Sequence, residues 1–200
     1  MMEGPWEAKK FVTQYLKLDI PERLVKYRNY WQLDDERLPT PELFLSHEPL
    51  GLDHWPTITT IQMGTSKLER VDYINFSADP VYRVTYNLRT YVWVRGIGPE
   101  EVTETRDRLT AVVRSALLDH PSMVRSEEKW FPSINVESRL DETTMKEEWS
   151  DLTYVKGDRI VAGAFIAYEF SLNETIMRDH NGSVSEFDIE TVSLDWDGIR

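Results

Sequence analysis

Over two long stretches of the chain, apolar and polar positions alternate with a period of two. In residues 81–95, Tyr82, Val84, Tyr86, Leu88, Val92 and Val94 fall on one side, and Arg83, Thr85, Asn87, Arg89 and Arg95 on the other. Successive side chains of an extended strand point to opposite faces, so this spacing predicts a strand. A period held this long specifies register, because a slip of one residue would turn every apolar side chain into water. Tyr91 and Trp93 break the polar side near its end, and that end is expected to touch something besides water. In residues 159–173, Ile160, Ala162, Ala164, Ile166, Tyr168, Phe170 and Leu172 share one side, while Val161, Gly163, Phe165 and Ala167 keep the other small or apolar until Glu169. A strand apolar on both sides is expected to be covered on both, by a central place in a sheet or by a subunit contact.

Helical spacing marks two other regions. Phe11, Val12, Tyr15 and Leu16 form an apolar stripe in residues 6–18, with Lys9, Lys10, Gln14 and Lys17 elsewhere on the wheel. Asp19-Ile20-Pro21-Glu22 predicts a second helix start, with Asp19 as cap, Pro21 in the first turn and Glu22 three residues after the cap. Leu24, Tyr27, Arg28 and Trp31 continue it. The most clearly bounded helix follows Gly98: Pro99 suits its first position, and Glu100 and Glu101 complement the helix dipole. Its buried stripe is Val102, Leu109, Val112, Val113, Ala116 and Leu117, Glu104 and Arg108 pair one turn apart, and Pro121 bounds the end.

Prolines and the Glu48-Pro49-Leu50-Gly51 stretch predict an irregular connection from residue 38 to residue 56. The β-branched run at 57–61 and the alternation at 70–76 predict two more strands, 134–140 a mixed one, and the polar 142–151 a loop or short turn. This order of elements predicts an α+β fold: a largely antiparallel twisted sheet with helices packed on one face. Residues 1–175 form its single domain. Residues 176–200 carry Glu186, Asp188, Glu190, Asp195 and Asp197 between Phe187, Ile189, Val192, Leu194 and Trp196, and are expected to be an acidic tail or peripheral arm.

Composition narrows the function classes. A chain of 200 residues, 40% hydrophobic, is long enough for one sizeable core and short for two. Seven Trp, nine Tyr and seven Phe exclude a disordered chain. The net charge of -12 repels nucleic-acid phosphate at long range. Zero cysteines exclude disulfides, thiol catalysis and the common zinc-finger sets, and suit a reducing compartment. No stretch approaches the ~20 apolar residues of a membrane helix, and the N-terminus lacks a signal-like apolar run, so synthesis in the cytoplasm without membrane contact is expected.

Candidate chemistry is sparse. Each histidine has an acidic neighbour, in His47-Glu48, Asp53-His54, Asp119-His120 and Asp179-His180. Adjacent residues point apart, and the i,i+3 or i,i+4 spacing that presents two ligands to one ion is missing; they read as loop or cap histidines. Gly96-Ile97-Gly98 follows a strand and opens a helix, but Pro99 removes an N–H and no third glycine or Lys-Ser/Thr follows, so it reads as a turn and cap. No nucleophile or phosphate-loop motif is present. The chain is expected not to be an enzyme, with no catalytic residue, metal or cofactor assigned. Arg89, Tyr91, Trp93 and Arg95 form an aromatic-basic stripe that suits packing or subunit contact better than nucleic acid. Tyr91, Trp93, Val161 and Phe165 are the candidate subunit interface.

Leu45-Ser46-His47-Glu48-Pro49-Leu50 with Asp53-His54-Trp55-Pro56, Tyr91-Val92-Trp93-Val94-Arg95-Gly96 leading to Thr105-Arg106-Asp107-Arg108-Leu109, and Ala162-Gly163-Ala164-Phe165 with Glu169-Phe170 together resemble the tail terminator, or tail completion, proteins of long-tailed bacteriophages. The resemblance covers roughly residues 20 to 175 and rests on packing and turn residues rather than on a catalytic signature. It implies a virion protein assembled in the host cytoplasm that forms a ring, a hexamer, at the head-proximal end of the tail. Such a ring would stop growth of the tail tube, contact the tube protein, and offer a surface to a head completion or connector protein, with DNA only as passing cargo. Another head-to-tail connector or minor tail protein is the first alternative, and an enzyme of unknown type a distant one.

Overall fold

A computed structural model describes residues 4–47, 54–71, 80–123, 138–149, 154–156 and 158–175. Its elements run α1 (Pro5–Trp31), β1 (Leu43–Leu45), β2 (Thr57–Arg70), β3 (Val81–Gly96), α2 (Pro99–Asp119), β4 (Arg139–Glu148), β5 (Tyr154–Lys156) and β6 (Arg159–Thr175). The strands make one sheet in the order β1-β2-β3-β6-β4, and β5 also pairs with β6. Every pairing is antiparallel except β1 with β2. The α+β architecture expected from the alternating strands is the one observed, with both helices packed on one face of the sheet.

The two strands with a strict period of two lie side by side at the centre, in unbroken register from Val81 opposite Thr175 to Gly96 opposite Ile160. Their shared apolar side, including Val84, Leu88, Val92, Ala162, Ile166 and Phe170, is buried against the helices. The Phe11 ring of α1 meets the Phe170 ring at a centroid distance of 5.9 Å. Tyr15 carries the apolar stripe of α1 to α2, donating its hydroxyl proton to the Ala116 carbonyl at 2.8 Å. The buried stripe of α2 is the one its spacing predicted, extended by Thr105, Arg106 and Thr110.

Three elements differ from expectation. The second helix start at Asp19 does not exist: α1 is continuous, with Pro21 inside it. Pro21 is exposed and removes a single donor, while Leu16, Ile20 and Leu24 carry the buried stripe past it. Asp19 does not cap. Its carboxylate instead accepts from Arg23 Nε at 2.6 Å, and the same guanidinium reaches Ser115 at 3.1 Å and Asp119 at 2.8 Å on α2. The strand expected at 57–61 is longer than predicted and runs to Arg70 as β2, while all of the strand expected at 70–76 beyond Val71 lies outside the described residues. The long β3 supplies a partner along all of β2, and register shifts at Gln62/Gly64 and Thr65/Lys67 absorb the extra residues. The connection at 38–56 also contains β1, whose Leu43 pairs with Thr57.

The polar stretch expected to loop from residue 142 is most of β4, an edge strand. Charged side chains are tolerated on such an edge because one side of it faces water. The register jumps between Asp141 and Lys146, and side chains take over the pairing there: Thr143 donates twice to Asp141 Oδ1, and the Glu169 N–H donates to Thr144 Oγ1 at 2.8 Å. Of the strand expected at 134–140, residues 134–137 lie outside the described residues, as does the tail at 176–200.

Gly96 ends β3 where the chain turns into α2. A Cβ there would stand 2.5 Å from Cγ2 of Val102, a buried first-turn residue of α2. Gly96→Ala is expected to lower stability by about 1–3 kcal/mol through overpacking, measurable as a lower urea midpoint with unchanged slope. The Arg23 clamp between the helices is a second check. Arg23→Met leaves the buried Asp19 carboxylate unpaired and should cost about 3 kcal/mol. Asp119 adds a pH signature, since the Arg23 hydrogen bond holds its carboxyl below the ordinary carboxylate range. Stability from that lowered carboxyl is present above the unfolded value of about 4 and is lost as pH falls through the lower folded value. Unfolding midpoints followed below pH ~4 should therefore fall less steeply in Arg23→Met than in the parent protein.

Candidate interaction face

The helices cover one side of the sheet, and the other side carries the residues that break the polar alternation. On β3 this side runs Arg83, Thr85, Asn87, Arg89, Tyr91, Trp93, Arg95, because every second residue shares a face. Register sets Tyr91 opposite Phe165, Trp93 opposite Gly163 and Arg95 opposite Val161 on β6, with Thr59 and Thr57 beside Tyr91 and Trp93 on β2. The fold thus brings Tyr91, Trp93, Val161 and Phe165 together on one face, at the end of the sheet where β3 leads into α2.

The two ends of this face differ in chemistry. Toward Val81 it is polar: the Thr85 and Ser171 hydroxyls share a hydrogen bond of 2.8 Å, and Arg83 Nε donates to Asn173 Oδ1 at 3.4 Å. Toward Gly96 it is aromatic. Tyr91 and Trp93 stack with ring centroids 5.8 Å apart and planes within 5°. Phe165 leans on Tyr91 at 5.2 Å, and the Arg89 guanidinium lies 4.6 Å over the Phe165 ring. A cation over an aromatic face is held by the ring quadrupole while the aliphatic stem covers apolar surface.

Burial divides the four candidates. Val161 has no exposed surface and Phe165 keeps 6%, so both are already covered within the chain, as expected of a central strand. Tyr91 and Trp93 are half-buried and keep some exposed surface. The accessible part of the candidate interface is therefore the Tyr91–Trp93 stack, flanked by Arg89 and Arg95.

Thr57 and Thr59, both fully buried on this face, were not singled out from sequence. The β-branched run predicted the strand, but the register that places Thr59 beside Tyr91 depends on bulges that spacing does not reveal. The Thr57 hydroxyl donates to the His54 carbonyl at 2.6 Å. Thr59 Oγ1 and the Trp93 indole N–H are buried and have no hydrogen-bond partner among the described residues. Such orphaned groups cost free energy until a partner satisfies them.

Other polar groups pair within the fold. On the helix side, Thr60, Thr90 and Tyr168 form a buried hydroxyl chain with links of 3.1 and 2.8 Å. Burial pushes the Tyr168 phenol up, and burial together with the Glu174 carboxylate does the same to Tyr86, so both stay protonated and neutral. His54 Nδ1 lies 3.1 Å from Glu42, and His120 lies 3.7 Å from Asp119. Among the described residues no group of three or more His, Asp or Glu is placed to hold a metal ion, and no helix is long and apolar enough to cross a membrane.

At the aromatic end, a cavity of about 260 Å³ is lined by Trp55, Pro56, Val94, Arg95, Gly96 and Thr105, among others. Trp55-Pro56, Val94-Arg95-Gly96 and Thr105 thus meet at one place although they are far apart in sequence. No family model matches the chain, and no curated protein matches it.

Trp93→Phe keeps a ring on Tyr91 and deletes the orphaned N–H, so stability should hold or rise by up to ~1 kcal/mol. Phe165→Ala, which removes the ring under Tyr91 and Arg89, should cost about 3 kcal/mol. Urea titrations of the two variants check both signs.

Proposed function

We propose that this chain is a structural virion protein of a long-tailed bacteriophage, a tail terminator that caps the head-proximal end of the tail tube, ends its growth and offers a surface for head joining. The observation that carries this reading is the partly exposed Tyr91–Trp93 stack, on the sheet face opposite the helices and among the segments that resemble that family. Aromatic residues flanked by Arg are typical anchors of protein interfaces. A ring needs a heterologous contact, in which one patch meets a different patch on the next subunit until rotation closes the circle. The stack is the first of these patches, and the family resemblance makes the ring a hexamer. The net charge of -12 would let DNA pass such a ring without adhering.

A second head-to-tail connector role rests on the same face and differs only in partner. Among the described residues an enzymatic reading draws no support from the titratable groups with shifted values: Arg23, Tyr86, Asp119, Asp141 and Tyr168 move away from neutrality, whereas acid–base catalysts are tuned toward it.

Deleting the gene from the parent phage should give overlong, headless tails in electron micrographs. Normal tails on leaking heads would move the assignment to a head connector, and undiminished infectious particles would reject both. Trp93→Glu tests the face itself. It should stay folded by circular dichroism yet fail to bind purified tail tubes, and full binding would remove the stack from the interface.

A further inference from the structure

The cleft where β3 passes into α2 and the last turn of α1 complement each other in shape and in charge. The cleft, of about 260 Å³, has apolar walls that include Pro39, Trp55, Pro56 and Val94, and Ile97, 67% exposed, stands beside them. Glu36, Glu101, Arg95 and Arg159 also line it, so its charge is balanced and both signs are present. Sites for drug-sized ligands run from about 300 to 1,000 Å³; this one suits a single side chain. An apolar wall with charges beside it favours an aromatic ring that ends in a polar tip.

The surface carries such a side chain. Tyr30, in the last turn of α1, is 81% exposed, more than any other large hydrophobic residue described. Lys26 lies one turn before it, and Asp34 and Asp35 follow the helix, all three exposed. Residues four apart on a helix are neighbours, so Tyr30 stands between a cation and two carboxylates. Asp34 accepts from the Arg37 backbone N–H. Among the described residues, Asp35 at one end and Arg95, Glu36 and Glu101 at the other are in no ion pair. Tyr30 is not among the residues that line the cleft, so within one chain the two features do not meet.

We propose that Tyr30 of one copy enters the cleft of a second copy, with Asp35 pairing to Arg95 and Lys26 to the Glu36 and Glu101 carboxylates. The ring fills the apolar part, and the charges on either side fix its orientation. Tyrosine and arginine are the residue types that most often anchor a protein interface. Ring and cleft are different patches, so the contact is heterologous and can close a circle. This deepens the function proposed above and rests on its self-assembly part alone. Arg95 shares the side of β3 that carries Tyr91 and also lines the cleft; the cleft thus continues the first patch, and Tyr30 supplies the second.

Sedimentation equilibrium of the full chain, from micromolar to millimolar, tests the contact. The parent protein should self-associate, and Tyr30→Ala should weaken association by roughly tenfold or more. Its circular dichroism and urea midpoint should stay unchanged, because the side chain is exposed. Asp35→Arg should also weaken association, and Asp35→Arg/Arg95→Asp should restore it. The absence of cysteine allows a positional check. Mixed under oxidising conditions, Tyr30→Cys and Ile97→Cys chains should form a disulfide between positions 30 and 97, identified by mass spectrometry.

A parent chain that stays monomeric throughout, or one whose association survives Tyr30→Ala, would overturn the proposal. So would a double variant that is not rescued, and crosslinks between two copies of position 30 would replace the contact with a two-fold one. The phage reading fails separately. Association that needs Tyr30, in a chain whose gene deletion leaves tails normal, would keep the contact and reject the terminator. Overlong tails on deletion, with association indifferent to Tyr30, would do the reverse.

Discussion

The antiparallel register between β3 and β6 is the constraint from which the rest of the molecule follows. It runs the whole 16-residue length of β3 without a shift, whereas β2 and β4, which flank the pair, both carry bulges. A one-residue slip in either central strand would exchange its faces, sending Leu88 or Ile166 to the side where Arg89 and Phe165 now lie. Both helices need the unslipped arrangement. Phe11 requires Phe170 on its own side of the sheet, and the tight passage of Gly96 beside Val102 fixes where β3 stops and α2 begins.

Around this pair, polar groups tie the elements together. The Thr60–Thr90–Tyr168 chain satisfies hydroxyls that would each cost about 1–3 kcal/mol if left orphaned in the core, and it spans three adjacent strands. Arg23, held by Asp19 on its own helix, joins α1 to α2 through Ser115 and the Asp119 carboxylate. Arg106, more deeply buried, donates to the Trp149 carbonyl at 3.0 Å and so holds the chain just past β4 against α2. Each guanidinium is hydrogen-bonded, the condition under which a buried charge is tolerated.

Sequence reading captured what depends on local periodicity and missed what depends on long-range partners. The central strands, α2 with its glycine and proline at the start, and the break in polarity at Tyr91 and Trp93 were all legible, since a period of 2 or 3.6 carries them. Pro21 misled because helix punctuation was weighed without the tertiary burial of Leu16, Ile20 and Leu24, which outweighs the loss of one donor. The edge strand β4 was invisible because Asp141–Thr143 and Thr144–Glu169 contacts replace its ladder with side chains. For the candidate face, sequence identified the four residues but not which of them keep exposed surface. Val161 and Phe165 differ from Tyr91 and Trp93 only through the strands and side chains that surround β6.

The charge around the Tyr91–Trp93 stack differs in sign from that of the chain as a whole. With 35 acidic against 23 basic residues, the field beyond about 8 Å, the screening length at physiological salt, is that of an anion and disfavours nucleic acid. Within that distance of Tyr91 and Trp93, Arg89 and Arg95 dominate, and apolar contact adds to their attraction. On the proposed interface reading, a partner would have to come close and bring an apolar side to the stack, whereas a phosphate polymer would be repelled before contact.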